Sequence, residues 1–122
     1  MSSEKLAERI GEILYMKKGE KIEIYDLREA TDITDFFVVC SGESEIHTRA
    51  LCDAVLEELE REGIREHHVE GYEHAHWILI DYIDVIVHIF LPPEREYYDF
   101  ERIWGDVPKR RLDDKGEGEE EN

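Results

Sequence analysis

The sequence lacks the segments that would place this chain in a membrane or outside the cell. No apolar run approaches the ~20 residues that a membrane-spanning helix needs, and the N-terminus, MSSEKLAERI, has no apolar core of a secretory signal. The chain has only two cysteines, Cys40 in an apolar run and Cys52 in a helical pattern, which fits small buried residues. A reducing cytosol disfavours a disulfide between them. These features predict a soluble cytoplasmic protein with no membrane contact.

Motifs for metal binding and nucleophilic catalysis are also missing. The six histidines come without a CxxC, an HExxH or an H-x-E followed by a cysteine pair. His74 and His76 could share one face of a strand, and His88 could approach them. Ser41-Gly42 lies at a strand-to-helix turn but outside a G-x-S-x-G pattern, so Ser41 fits a turn residue. We therefore predict no catalytic residues, no metal and no cofactor.

A nucleotidyltransferase-type enzyme is the first alternative, because that class has a Gly-Ser turn followed by an Asp-x-Asp pair that holds two magnesium ions. Here Ser41-Gly42 is followed by Glu43-Ser44-Glu45, and glutamates two residues apart at a helix start do not face together. Asp81 and Asp84 fit a hairpin turn instead. The sequence also shows no basic residues near these positions that would hold a triphosphate. A purely structural interaction domain is the second alternative.

The formal net charge of −17 predicts little direct contact with nucleic acid, since phosphate backbones repel an acidic surface. Residues 109–122 hold four basic and six acidic residues, so the first 108 residues still carry −15. Such a surface would be steered toward basic proteins. The same charge could instead serve only to keep the protein soluble, and charge alone does not choose between these interpretations.

The patterning predicts an α/β fold in one domain, residues 1–108, followed by a disordered acidic tail, residues 109–122. The predicted order is α-β-β-α-β-β-β-α, a mixed five-stranded sheet with packed helices. The first helix covers residues 4–16, the second about 45–62, and the last begins at Pro93. The run Phe36–Cys40 is continuously apolar, which is typical of a strand buried on both faces.

A hairpin of strands Trp77–Asp81 and Val85–Phe90 has two different faces. We predict a register that places Trp77 opposite His88. The first face is wholly aliphatic and should lie in the core: Ile78, Ile80, Val85, Val87, Ile89. The second mixes aromatic, aliphatic and polar groups, as protein interfaces do: Trp77, Leu79, Asp81, Asp84, Ile86, His88, Phe90. The alternative is that a helix covers this second face and His88 only forms a hydrogen bond there.

Six short motifs in fixed order resemble the ribosomal silencing factor family, RsfS or Iojap, over about 70 residues. Asp35–Gly42 matches D-x-(apolar)4-[ST]-G, and Ser44, His47 and Ala50 match S-x-x-H-x-x-A. Glu70-Gly71 matches an E-G pair, and Trp77–Asp81 matches W-(apolar)3-D. Asp84–Phe90 matches D-V-x-V-H-x-F, and the closing motif R-x-x-Y-x-x-E-x-x-W is matched by Arg95, Tyr98, Glu101 and Trp104. There are two departures. Ile83 stands where the family usually has a hairpin glycine, a site that often needs a positive φ, and the tail after Pro108 extends beyond the pattern.

The resemblance implies a fold similar to nucleotidyltransferases but without their metal carboxylates. It also implies a non-enzymatic protein that binds ribosomal protein L-fourteen on the large ribosomal subunit and hinders joining with the small subunit. Translation would thereby fall when nutrients are short. The partner-binding residues carried over onto matching positions are Trp77, Asp81, His88, Tyr98 and Trp104. Because an exposed aromatic face favours self-association, we also expect a weak homodimer of the free protein.

Overall fold

The computed structural model describes residues 1–112 and 118–121, in which four helices and seven strands are formed. In chain order these are α1 Ser3–Met16, β1 Glu20–Asp26, β2 Phe36–Ser41, α2 Glu45–Arg61, β3 His68–Glu70, β4 Trp77–Asp81, β5 Val85–Phe90, α3 Pro92–Tyr98, α4 Phe100–Trp104, β6 Lys109–Leu112 and β7 Gly118–Glu121. The mixed α/β architecture is confirmed and all five predicted strands are formed, but the predicted five-stranded sheet has seven strands, because β6 and β7 extend it beyond β1. None of the helices in this part of the chain has the length and apolarity needed to cross a membrane.

The strands form one mixed sheet in the order β3-β4-β5-β2-β1-β6-β7. β2 pairs in parallel with β5, and each other neighbouring pair is antiparallel. β3 therefore runs in the same direction as β2, as predicted for two strands joined by the long helix α2. However, β4 and β5 separate these two strands, so the parallel crossover connects strands that are not neighbours.

The main core lies between one face of the sheet and helices α1 and α2. The aliphatic face of the β4–β5 hairpin belongs to this core and is fully buried, which confirms the predicted assignment of that face. The apolar stripes of the two helices cover it, with Ile10 and Leu14 from α1 and Leu51 and Val55 from α2. Removing each large aliphatic side chain from water contributes about 1.5–3 kcal/mol, so this layer holds the fold together.

A second, smaller core lies on the opposite face of the sheet, under α3 and α4. It contains Tyr25, Leu27, Val39, Phe90 and Phe100. Val39 points into this second core whereas its neighbours in sequence belong to the first, and all of them are fully buried. The prediction that β2 is buried on both faces is therefore confirmed.

The predicted register of the β4–β5 hairpin is wrong by two residues. Trp77 lies opposite Phe90, and His88 lies opposite Leu79. The hairpin closes one residue later than predicted, with Tyr82 and Val85 joined by a backbone hydrogen bond of 2.9 Å around a two-residue loop. Ile83 makes this possible by adopting a φ of +72°, which is unusual for a β-branched residue. A shift of two residues preserves which side chains share a face, so the two-face prediction survives.

The predicted single closing helix is divided at Asp99. This residue has a φ of +53°, which ends α3, and its carboxylate accepts a hydrogen bond from the Arg102 amide at the start of α4. The change of direction lets Phe100 enter the second core. Asp tolerates the left-handed conformation better than most residues, which is why an internal break can occur without glycine.

The prediction of a disordered tail from residue 109 is wrong at its start. β6 pairs with β1, and the basic side chains of this segment meet carboxylates of the domain. Arg110 bonds Glu8 at 2.8 Å and Arg111 bonds Glu23 at 3.0 Å. Backbone pairing continues from β6 to β7. The rest of the predicted tail, residues 113–117 and 122, lies outside the described residues.

Candidate functional site

The face of the sheet opposite α1 and α2 is only partly covered. α3 and α4 lie over Tyr25, Val39 and Phe90, which are buried. Beside this covered part, three strands present side chains that are half-buried or exposed. We call this surface the open face and define it by Trp77, Leu79 and Asp81 of β4, Ile86 of β5 and Phe37 of β2. Strand register places Asp81, Ile86 and Phe37 in one row across the three strands.

Trp77 is the most exposed aromatic side chain of the open face, with 38% of its surface accessible. Its indole stacks on Phe90, with ring centroids 5.1 Å apart and planes 22° apart. The edge of Tyr98 meets it at 4.8 Å, and its Nε1 donates a hydrogen bond of 3.1 Å to Nδ1 of His88. The ring is thus held from three sides. A large aromatic in a fixed orientation loses little conformational entropy when a partner covers it.

His88 is buried beneath Trp77, with only 4% of its surface exposed. The prediction that His88 lies on the accessible surface is wrong, because Phe37 and Phe100 pack against the ring at 4.7 and 5.1 Å. Burial lowers the pKa of His88 to about 3, so the ring is neutral at physiological pH. Nδ1 accepts the bond from Trp77, so the proton lies on Nε2. His88 therefore holds Trp77 in place.

Asp81 lies at the far end of β4, where it serves the hairpin turn. Its Oδ1 accepts a hydrogen bond of 2.7 Å from the Ile83 amide. The residue is half-buried, between His68 of β3 and Ile86 of β5 in the register of the sheet. The carboxylate thus has a structural function and also adds negative charge to the rim of the open face.

Tyr98 and Trp104 join the second core to the open face. Tyr98 is half-buried between Trp77 and Phe100, 4.8 Å from each ring centroid. Trp104 is half-buried with its ring edge-on to Phe37 at 5.6 Å. Of the five predicted site residues, Trp77, His88 and Tyr98 form one contact cluster. Trp104 reaches the open face through Phe37, and Asp81 lies apart at the turn.

Phe37 is a residue of the open face that was not predicted from the sequence. It lies in the apolar run Phe36–Cys40, where continuous hydrophobicity predicts burial on both faces. Phe37 is nevertheless only half-buried, with Phe100 and Trp104 of α4 edge-on to its ring at 5.8 and 5.6 Å. The signal was its position at the start of the strand, next to the hairpin row that contains Asp81.

Glu23 is buried beside a cavity of about 510 Å³. Burial disfavours its charged form, yet the hydrogen bond from Arg111 and the charges of Arg95 and Lys109 hold the pKa of Glu23 below its ordinary value. Arg95 also donates to Ser41 Oγ at 3.0 Å, which corrects the expectation that no basic residue lies near Ser41.

The cavity beside Glu23 has no excess of positive charge. Its lining combines four basic and four acidic side chains: Lys21, Arg95, Lys109, Arg111, Glu23, Glu96, Asp99, Glu101. A site for a triphosphate needs donors that face the phosphates, whereas Arg95 is bonded to Glu23 and Ser41. The arrangement therefore suits a structural ion-pair network that joins β1, α3 and β6.

His76 is the histidine with the most carboxylate contacts. Its Nε2 lies 2.9 Å from Glu45 and its Nδ1 lies 3.2 Å from Glu94. The hydrogen bond to Glu45, helped by the charge of Glu94, raises the pKa of His76. Within residues 1–112, where side chains are described, no group of three or more His, Cys, Asp or Glu side chains could hold a metal ion. The cluster therefore joins α2 to α3 electrostatically.

Comparison with known proteins identifies the family. The family model described as "Ribosomal silencing factor during starvation" matches residues 1–122. The chain is similar to a protein named ribosomal silencing factor RsfS from Halalkalibacterium halodurans, with 36% identity over 113 residues, 93% of this chain and 97% of the relative. It is also 30% identical over 74 residues, 58% of this chain and 32% of the relative, to a mouse protein named mitochondrial assembly of ribosomal large subunit protein 1.

A solved structure gives the same result for the fold. The crystal structure of a protein from Chromobacterium violaceum is similar to this chain with a TM-score of 0.83 and 33% sequence identity, covering 86% of this chain and 88% of the other. The family model covers every residue of the chain, and a relative that carries the family's name matches over nearly its whole length. The protein therefore belongs to the ribosomal silencing factor family.

Proposed function

We propose that this protein binds the large ribosomal subunit through ribosomal protein L-fourteen and sterically blocks joining of the small subunit, which represses translation. Membership of the ribosomal silencing factor family supports the general role. The name of the mouse relative, which refers to assembly of the large subunit, supports the choice of subunit. The resemblance of the sequence motifs is the basis for naming L-fourteen.

The observation that carries this proposal is the open face with Trp77 at its edge. Interfaces are dominated by a few aromatic or arginine anchors surrounded by contacts that exclude water. Trp77 has this character, because it is half-exposed and yet fixed by Phe90, Tyr98 and His88. Leu79 and Ile86 extend the apolar surface beside it. In this proposal Tyr98 supports Trp77 and Trp104 enlarges the contact surface, while the buried His88 does not contact the partner and only holds Trp77 in place.

Charge supports a basic protein as the partner. The net charge of −17 favours the approach of a basic ribosomal protein and opposes direct binding to ribosomal RNA. Asp81 at the rim of the open face would face a lysine or arginine of the partner. Because the Asp81 carboxylate is half-buried, this pairing should be weaker at high salt but not abolished.

A steric mechanism accounts for the function without catalysis. The Ser41-Gly42 turn lacks an Asp-x-Asp pair after it, and Arg95 is occupied by Glu23 and Ser41. A folded domain fixed on the joining face of the large subunit would exclude the small subunit by its volume alone. We place this activity in the cytoplasm. We also expect the free protein to form a weak dimer through part of the open face.

Co-sedimentation with isolated large subunits tests the proposal. The parent protein should pellet with large subunits and not with small subunits. Trp77→Ala should weaken binding by about 2 kcal/mol, which is roughly 30-fold. Tyr72→Ala is a matched control, since Tyr72 is similarly exposed but bonded to Asp53 on the α2 side. Asp81→Asn, which keeps an acceptor for the Ile83 amide, should weaken binding more at low salt than at high salt.

Failure of the parent protein to pellet with large subunits would contradict the proposal. If the parent binds and Trp77→Ala binds equally well while remaining folded, the interface lies elsewhere on the protein. If Trp77→Ala unfolds the domain, Trp77 belongs to the core and the assignment of the open face is wrong.

A further inference from the structure

The hairpin tip beside the open face contains a strained residue that is also exposed. Ile83 has a φ of +72°, a conformation in which a β-branched side chain is disfavoured and glycine is not. The Asp84 amide donates to the Tyr82 carbonyl at 2.9 Å, which gives a γ-turn centred on Ile83 with a positive φ, a rare and strained turn. An isoleucine here is therefore conformationally unfavourable for the fold.

Side chains hold both peptide groups of Ile83. Its amide donates to Asp81 Oδ1 at 2.7 Å, and its carbonyl accepts from the hydroxyl of buried Thr34 at 2.9 Å. The next carbonyl, of Asp84, accepts from the amides of Asp35 and Phe36 at 3.0 and 3.1 Å. Strained residues persist where their surroundings over-determine them, and such positions cluster at functional sites. The backbone of the tip is thus rigid, and it projects the Ile83 side chain outward.

The side chain at the tip is apolar and accessible, and acidic residues adjoin it in sequence. Ile83 is 58% exposed, and Ile33, next to Thr34 in the loop that bonds the tip, is 75% exposed. Asp84 and Asp32 are exposed beside them in sequence. The tip is continuous with the open face through Asp81, which belongs to the face and binds the Ile83 amide. An apolar contact with an acidic rim is complementary to a basic protein surface that has an apolar pocket.

We propose that Ile83 is a second apolar contact for the basic large-subunit protein that covers the open face, so that the footprint extends from Trp77 along β4 to the tip of the hairpin. This inference rests on the proposed function and adds a contact at the hairpin tip, where a φ of +72° favours glycine and this chain has isoleucine. Ile33 lies at the margin of the same contact. The strained isoleucine lowers the stability of the free protein, and its side chain in return contributes to the free energy of binding.

Replacement of Ile83 separates binding from stability, because the two should change in opposite directions. Ile83→Gly removes the strain and the apolar side chain, so the melting temperature should be equal to or above that of the parent. Binding to large subunits should weaken about fivefold or more. Ile83→Asn tests whether the flexibility of glycine, rather than loss of the apolar side chain, weakens binding. Asn also tolerates a positive φ but is polar. Ile46→Ser on α2, where Ile46 is 80% exposed, is the matched control and should bind like the parent.

Each outcome of this experiment bears on the inference. Weaker binding by both Ile83 variants at undiminished stability supports it. Binding equal to the parent by both, while Trp77→Ala binds weakly, refutes the contact and leaves the proposed function intact. An Ile83 variant could bind the ribosome normally and yet shift the protein from dimer to monomer in light scattering. This result would show that a second copy of the protein occupies the tip, and it would also refute the proposed contact. A parent that does not bind large subunits overturns both proposals.

Discussion

Acid should destabilise this protein through one buried histidine, and His88→Gln isolates the effect. Burial lowers the pKa of His88 from its ordinary 6.5 to about 3. In the unfolded chain the imidazole takes up a proton near pH 6.5, whereas in the folded protein it stays neutral until about pH 3. The contribution of His88 to stability is therefore fully present above pH 6.5 and is lost as the pH falls toward 3.

The size of the effect follows from this difference in pKa. Between pH 7 and pH 5 the folded ring takes up almost no proton, whereas the unfolded ring takes up roughly 0.7 of a proton. Linkage then predicts that the free energy of unfolding falls by about 2 kcal/mol over this interval on account of His88 alone. Carboxylates contribute little here because they titrate mainly below pH 5. The raised pKa of His76 works in the opposite direction, and it does so in both proteins.

Urea unfolding of the parent and of His88→Gln at pH 7 and pH 5 measures the effect. Gln does not titrate in this range, and its side-chain oxygen can accept the hydrogen bond from Trp77 Nε1. The variant should be less stable than the parent at pH 7 and should lose about 2 kcal/mol less between the two pH values. Equal pH dependence in the two proteins would refute the account of a neutral, buried His88.

Two further predictions concern the core and the state of association. Val39→Asp places a carboxylate in the second core and should cost several kcal/mol of stability; a melting temperature close to the parent's would show that β2 is not buried on both faces. Light scattering should detect a weak dimer at high concentration that Trp77→Ala reduces; a monomer at every concentration would remove that expectation.

The strands and long helices were predictable because their apolar periodicity agrees with their tertiary surroundings. The stripe of α2 and the alternation of β4 and β5 each indicate one buried face, and those faces meet in the main core. The double burial of Val38 and Val39 followed from the continuous apolar run. The assignment of Trp77 to a separate face was correct as well, because it depends only on alternation along the strand.

Features that depend on long-range contacts were not predictable. β6 has three successive basic residues and no alternation, and it is held by β1 and by carboxylates such as Glu8 and Glu23 far away in the sequence. The predicted hairpin register was wrong because Ile83 adopts the positive φ that a turn glycine usually supplies. The burial of His88 depends on Phe100, which reaches it only because the helix breaks at Asp99.

The most direct test of the central claim is a subunit-joining measurement. Isolated large and small ribosomal subunits are mixed at joining concentrations of magnesium, and light scattering follows formation of the whole ribosome with added parent protein, Trp77→Ala or Tyr72→Ala. The account predicts that the parent and Tyr72→Ala suppress joining in proportion to occupied large subunits, while Trp77→Ala needs roughly 30-fold more protein. Undiminished joining at saturating parent protein would contradict the account.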